Sequence, residues 1–193
     1  NIDSTNINDI QALSKLNELS VLQANKSNFS NLSPLLKLPE LKLVYCDNSL
    51  VNKNEAQTFI DKKPECMVIY NSAELANWWN NLSDDWHNIA NSQLKLSNPI
   101  TKVQLHEIIS GKTVDLANNP NITDLTPLKM LYRLESINVD GCKISDIEPL
   151  RSLKNLKNLN ISNTAVASLE PLSELSTLMV MKCENTGISN LSY

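Results

Sequence analysis

The chain of 193 residues carries a net charge of -4, with 41% hydrophobic and 20% charged side chains, a composition typical of a globular protein with a buried core. The acidic balance and the lack of any Lys/Arg-rich block argue against a nucleic-acid partner, because phosphate backbones require a concentrated basic footprint. Three glycines and two histidines give little material for a phosphate loop or a metal centre, so we predict no cofactor, no metal site and no catalytic residue.

The N-terminal quarter contains an apolar grid with a period of 22 residues. With Asp9 as position 1, apolar side chains fall at positions 2, 5, 8, 11, 14, 16 and 21 of residues 9–30, and again in residues 31–52. Positions 14 and 16 alternate as in a short strand, whereas the three-residue spacing before them is typical of a tight 3₁₀-like return. Each unit therefore predicts one strand and one return segment.

Residues 53–72 break this period but still form a degenerate repeat. The apolar residues Ala56, Phe59 and Ile60 predict a return helix that ends before Pro64, and a strand is expected through Met67 and Ile69. We therefore take residues 1–72 as an N-terminal repeat region.

Residues 73–101 are predicted to be a small helical insert. Leu75, Trp79, Leu82, Trp86 and Ile89 are spaced by four and three residues, which indicates one continuous apolar helical stripe. Ser72 and Ser83 are the expected N-caps, and Asp84 and Asp85 suit the N-terminal end of a second helix.

The three tryptophans of the insert have two interpretations. A sugar- or peptide-binding aromatic platform is one, but the stripe favours packing, with Trp79 and Trp86 mostly buried. Trp78 lies off the stripe and is the best candidate for an exposed contact.

The regular pattern resumes in residues 102–193. Thr101 and Gln104 have capping-box spacing and predict a helix that carries Val103, Leu105 and Ile109, before a strand with Val114 and Leu116. Three full units follow at residues 124–145, 146–167 and 168–189. Proline occupies position 4 in each, after a short polar residue at position 1 that suits the start of a turn.

The predicted fold class is α/β: a solenoid with a parallel β-sheet on the concave face, 3₁₀ or helical returns on the convex face, and the small helical insert. Stacking is expected because one such unit cannot bury its leucines alone. The chain starts and stops within a repeat, so we expect one continuous solenoid that is a fragment of a longer array.

The segments "DLTPLKMLYRLESINVDGCKIS" and "DIEPLRSLKNLKNLNISNTAVA" resemble the 22-residue leucine-rich repeats of bacterial internalin-like proteins. The resemblance covers residues 1–52 and 102–193, and the Trp-containing insert is similar to an arrangement in Bacteroidetes repeat proteins. One departure concerns position 19, commonly asparagine in this family, where only Asn119 matches. The resemblance implies a non-catalytic module of a secreted or cell-surface bacterial protein; an intracellular adaptor or regulatory subunit is the alternative, and an enzyme-associated scaffold is a third.

The predicted site is the concave strand face, where positions 15 and 17 should point out of the sheet and bind another protein. With Leu43 at position 13, the predicted contact residues are Gln23, Asn25, Leu43, Tyr45, Asp47, Asn138, Asp140, Asn160, Ser162, Lys182 and Glu184. Tyr45 is the expected anchor, because it is the only aromatic residue at position 15 of the regular units. His87 and His106 are expected to have surface or packing roles, and the four cysteines to be free.

Overall fold

The computed structural model describes residues 1–190 and shows two compact units, residues 1–77 and residues 78 onward. Each unit stacks its repeats so that short parallel strands pair side by side in register. No helix within residues 1–190 combines the length and the apolar character that a membrane crossing needs. The repeating strand and return predicted from the sequence are confirmed within both units.

The first unit contains a three-stranded parallel sheet and three return segments. Its strands are β1 (Val21–Gln23), β2 (Leu43–Tyr45) and β3 (Met67–Ile69). Its returns are the 3₁₀ helices Gln11–Lys15 and Ser33–Lys37 and helix α1 (Lys53–Lys62). Leu22, Val44 and Val68 pair across the three strands and point into the core.

The core of the first unit follows the apolar grid closely in its second repeat. Leu32, Leu35, Leu38 and Leu41 are fully buried, which is the outcome that the three-residue spacing predicts for one edge of a 3₁₀ return. In the degenerate repeat, α1 buries Ala56, Phe59 and Ile60 as predicted. The broken period therefore replaces a 3₁₀ return with a longer α-helix while the strand register is kept.

The second unit contains a four-stranded parallel sheet. Its strands are β4 (Thr113–Asp115), β5 (Ser136–Asn138), β6 (Asn158–Asn160) and β7 (Val180–Lys182). Its 3₁₀ returns are Thr126–Met130, Glu148–Ser152 and Glu170–Leu172. Leu134, Ile137 and Val139 are buried, so the predicted strand register is confirmed.

Each 3₁₀ return begins two residues after the polar residue of position 1. The side chains of Asp124 and Asp146 accept hydrogen bonds from backbone N–H groups two residues later, at 2.8 and 2.7 Å. Proline lies in the first turn, where its missing N–H leaves no unpaired donor. The sequence motif therefore fixes where each return begins.

Three helices lie between the two sheets in sequence: α2 (Ser72–Asn80), α3 (Asp84–Gln93) and α4 (Lys102–Ile109). The predicted capping box of α4 is confirmed, with Gln104 N–H donating to the Thr101 hydroxyl at 3.2 Å. Ser72 is the first residue of α2 rather than its N-cap, and Ser83 precedes α3 without a side-chain capping bond. The N-cap prediction is therefore wrong for Ser72, whereas Ser83 occupies the predicted N-cap position of α3 without a side-chain capping bond.

The insert consists of two helices with a break between Asn80 and Asp84, and the second begins at Asp84 as predicted. Trp78, which lies off the predicted stripe, packs against the core of the second unit together with Trp86 and Ile89. All three tryptophans are half-buried, so Trp78 does not stand out as more exposed than Trp79 and Trp86. The predicted order of their burial is therefore not observed.

A residue with left-handed backbone conformation occupies position 18, just after each strand. The φ angles lie between 52° and 71° at Ser4, Lys26, Asn48, Asn71, Asn118, Gly141, Asn163 and Asn185. Asparagine and glycine tolerate this conformation better than other residues do. Part of the asparagine content of the chain is thus explained by the turn that ends each strand.

Candidate functional site

The outward side chains of β1–β3 form a surface that we call the first strand face. It consists of Val21, Gln23, Leu43, Tyr45, Met67 and Ile69. Apart from Gln23, these side chains are apolar or aromatic; Val21 is 45% exposed, while Leu43, Tyr45 and Met67 are half-buried. Tyr45 pairs with Gln23 on one side and with the fully buried Ile69 on the other.

The outward side chains of β4–β7 form the second strand face. It consists of Thr113, Asp115, Ser136, Asn138, Asn158, Asn160, Val180 and Lys182. Polar groups dominate here, and neighbouring strands exchange side-chain hydrogen bonds, as between Asn138 Nδ2 and Asp115 Oδ1 at 3.0 Å. The same parallel frame thus presents amides and carboxylates in place of apolar side chains.

A row of charges borders the second strand face. The Glu135 carboxylate accepts from the ammonium groups of Lys112 at 2.7 Å and Lys157 at 2.6 Å. These two hydrogen bonds, first from Lys112 and then from Lys157, lower the pKa of the Glu135 carboxyl to about 2. The Glu135 carboxylate therefore stays ionised over the ordinary pH range.

The structure corrects two of the predicted contact residues, Asp47 and Ser162, which are buried and 5% exposed. Asp47 Oδ1 accepts from the Ser72 N–H at 2.8 Å, at the start of α2. Ser162 Oγ accepts from the Glu184 N–H at 3.2 Å in the next repeat. At these two residues position 17 turns toward backbone N–H groups, so their side chains hold neighbouring segments together instead of pointing outward.

Of the other predicted residues, some bind neighbouring repeats and the rest lie on the strand faces. Asn25 is half-buried, and its side chain binds Asp3 Oδ1 at 3.0 Å and the Asp47 N–H at 3.0 Å. Asp140 Oδ1 accepts from Asn163 Nδ2 at 2.7 Å. Gln23, Lys182 and Glu184 are exposed, whereas Leu43, Tyr45, Asn138 and Asn160 are half-buried on the strand faces.

Sequence reasoning missed this position-17 ladder and the left-handed residue that follows it. The available signal was the recurrence of asparagine directly after position 17, as in Asn48, Asn118 and Asn163. Such a residue favours the left-handed turn and so brings the preceding side chain within reach of backbone N–H groups.

Chemically, both faces offer hydrogen bonds and apolar contact. Within residues 1–190, no group of three His, Cys, Asp or Glu side chains is placed to hold a metal ion.

The four cysteines are free, as predicted, and burial raises the pKa of the Cys46 thiol to about 12 and of Cys66 to about 11. His106 is buried, with Nδ1 at 2.8 Å from the Lys102 carbonyl oxygen, which confirms its packing role.

Several solved structures are similar to this chain. An internalin (InlF) from Listeria monocytogenes is 18% identical over 96% of this chain and 40% of its own, with a TM-score of 0.39. Internalin C2 from the same species is 24% identical over 98% of this chain and 62% of its own, with a TM-score of 0.40. The repeat protein LIC12759 from Leptospira interrogans is 11% identical over 96% and 48%, with a TM-score of 0.41.

The chain therefore spans about 40% to 62% of the length of these three proteins. Because the identities and TM-scores are low, no residue role or partner is transferred from them. A search of curated proteins finds no match.

The family model for leucine-rich repeats in two copies matches residues 112–152 and 132–174. The matched stretch contains β4, β5 and β6 with their 3₁₀ returns. Residues 112–174 thus match leucine-rich repeats, and the parallel strands and 3₁₀ returns that recur along the chain have the form of a leucine-rich repeat solenoid.

Proposed function

We propose that this chain is a non-catalytic protein-interaction module of a secreted or cell-surface bacterial protein. The observation that carries the proposal is the first strand face, where Val21, Leu43, Tyr45 and Met67 form a partly exposed apolar patch on a rigid sheet. An aromatic anchor surrounded by apolar neighbours resembles the centre of an interface, where a few residues contribute most of the binding energy.

The second strand face supports the same function in a different way. Asn138, Asn160 and Lys182 present amide and ammonium groups that suit the wet, polar rim of an interface. On the first strand face we therefore place Tyr45 at the energetic centre, with Leu43 beside it and Gln23 and Asn25 as secondary contacts. On the second strand face we assign Asp140 and Glu184 to secondary contacts.

The position-17 residues Asp47 and Ser162 have a supporting role in this proposal. Their buried side chains hold backbone N–H groups of the next repeat, so they maintain the spacing of the strands. Replacing them should lower stability more than it changes a partner's contacts.

The test begins with capture of a binding partner by the purified chain from host or neighbouring-cell extract. With the captured partner, Tyr45→Ala should weaken binding by at least ~1 kcal/mol, whereas Tyr45→Phe should retain most of it. Tyr132→Ala is the matched control, because Tyr132 is also a half-buried tyrosine but lies outside both strand faces.

Lys157→Ala is a second control that removes a surface charge beside the second strand face. If substitution of Tyr45, Asn138 and Asn160 together leaves the partner's affinity unchanged, the binding surface lies elsewhere. That result would overturn the assignment to the strand faces.

A further inference from the structure

A cavity of about 310 Å³ lies within the second unit, beneath the helical segment. Its lining includes Trp78, Trp79 and Trp86 from the helical segment and Val114, Leu116 and Leu131 from the repeats of the second unit. Glu107 and Ile108, from the end of α4, also line it. This volume falls in the range of small-molecule binding sites, which are mostly apolar with a few polar groups.

Helix α3, which carries Trp86, is tied to the first repeat of the second unit at both of its ends. Asn121 Nδ2 donates to Asp85 Oδ1 at 3.1 Å near the start of the helix, and Gln93 Nε2 donates to the Asp115 carbonyl at 2.7 Å at its end. These bonds hold the α3 side of the cavity in place, whereas Trp78 packs against the core of the second unit from α2.

The indole rings of Trp78 and Trp79 are tilted against each other and are not stacked. The centroids of Trp78 and Trp79 are 6.4 Å apart with an interplanar angle of 58°, and Trp79 packs against the His87 ring at 4.5 Å. All three tryptophans of the chain line this one cavity and remain half-buried. Tryptophan faces carry negative electrostatic potential and attract organic cations more strongly than other aromatic rings do.

The charges on the cavity wall favour the same ligand class. Glu107 is exposed, and it makes no hydrogen bond or ion pair with any other residue in the part of the chain that the structure describes. The cationic residue on the wall, Lys112, is paired with Glu135 at 2.7 Å. A ligand in the cavity thus meets three indole rings and one carboxylate that lacks a counter-ion.

We propose that this cavity binds a small organic cation, whose alkylated ammonium group lies against the indole rings of Trp78, Trp79 and Trp86 and beside Glu107. Apolar contact with Val114, Leu116 and Leu131 accommodates the body of the ligand. The proposal does not depend on the strand-face interaction, although Thr113 belongs to the second strand face and also lines the cavity.

The experiment compares choline with its neutral isostere dimethylbutanol, in which carbon replaces the nitrogen, at constant ionic strength. Intrinsic tryptophan emission reports the site directly, since every tryptophan of the chain lines the cavity. Choline should bind at least about fivefold more tightly than the isostere, because only the cation gains from the ring faces.

Two variants separate the charge from the shape of the site. Glu107→Gln should weaken the binding of choline about threefold and leave the affinity for dimethylbutanol unchanged, because it removes a carboxylate without changing the volume of the side chain. Trp79→Phe should also weaken choline about threefold, since phenylalanine attracts cations less than tryptophan does. Glu18→Gln is the matched control, because it changes the net charge equally but does not line the cavity.

Each variant is first checked for an unchanged melting curve, so that a folding defect is not taken for lost binding. Equal affinity for choline and dimethylbutanol, or a Glu107→Gln effect no larger than that of Glu18→Gln, would overturn the cation assignment. The absence of any saturable emission change below about 10 mM choline would do the same.

Discussion

The two strand faces of this chain differ sharply in chemistry although they are built on the same repeat. The first presents Leu43, Tyr45 and Met67 on adjacent strands, and the second presents Ser136, Asn138 and Asn158 at the equivalent places. Both sheets nevertheless keep a parallel register and bury central strand residues, as Val44 and Val68 in the first and Ile137 and Leu159 in the second show. The comparison teaches that inward positions determine the fold, so that the outward positions are free to specify what is bound.

The turns after the strands show the same contrast at the level of the backbone. The second unit uses Asn118, Gly141, Asn163 and Asn185 at the left-handed position, whereas the first unit also uses Ser4 and Lys26. The φ angles are nearly the same in both units. Lys26 is therefore held in a conformation that its side chain does not favour, and the surrounding repeat imposes it.

The largest expected effect tests whether the two units depend equally on the leucine grid. Leu35 and Leu156 are both fully buried, so Leu35→Ala and Leu156→Ala should each cost ~2 to 5 kcal/mol of unfolding free energy. Chemical denaturation followed by circular dichroism measures both, and tryptophan emission follows the second unit alone, because it contains all three tryptophans.

Leu50→Ala is the matched control for these two variants. Leu50 is 62% exposed, so its truncation should change the unfolding free energy by less than ~0.5 kcal/mol. A melting curve that Leu156→Ala leaves unchanged would show that the repeat register is wrong.

Next in size is the cost of placing an ordinary side chain at the left-handed position of the second unit. Gly141 has φ 71°, and an added Cβ would come no nearer than 3.4 Å to Asn118, so the cost arises from backbone conformation and not from a clash. Gly141→Ala should therefore lower the unfolding free energy by ~1 to 2 kcal/mol.

Gly141→Asn provides the control, because asparagine tolerates this conformation and should lose clearly less than alanine does. Equal losses for the two variants would indicate that the backbone angle is not the cause.

The converse change in the first unit should be stabilising. Lys26 has φ 55°, and Lys26→Asn should raise the unfolding free energy by roughly 0.5 to 1 kcal/mol, because asparagine adopts this angle more readily. Lys37→Asn, in a 3₁₀ return, is the control and should bring no gain. Thermal unfolding of both variants measures the change. A lower unfolding free energy for Lys26→Asn would mean that the lysine side chain contributes contacts that outweigh the strain of its backbone angle.

Much of this fold could be predicted from the sequence, because the apolar period directly encodes which side chains stack. The grid located Leu134, Ile137 and Val139 in the core, and the capping box located α4. The insert was predicted less well. Ser83, Asp84 and Asp85 marked the start of α3, but the spacing from Leu75 to Ile89 does not show that Trp78, which lies off the stripe, packs against the second core.

The candidate site was predicted in part for a similar physical reason. Alternation along a strand correctly predicted that Tyr45 and Asn138 point outward. Alternation stops where the strand ends, however, and Asp47 and Ser162 lie beyond that point, where the turn directs their side chains to backbone donors. The cavity beneath the tryptophans depends on how α3 and α4 meet the first repeats, which no local pattern encodes.

The smallest expected effect concerns the charge row that only the second unit displays. Because Lys112 and Lys157 lower the pKa of Glu135 from 4.5 to about 2, the ionised carboxylate favours the folded state above pH 4.5. That contribution is lost as the pH falls through the folded pKa near 2. A carboxyl-carbon NMR titration should find Glu135 still ionised at about pH 3, and Lys112→Met together with Lys157→Met should return its pKa toward the ordinary value. Added salt should weaken the shift, since the group lies at the surface and its ion pairs are screened. A normal Glu135 titration at low salt would show that the three charges do not form a row in solution.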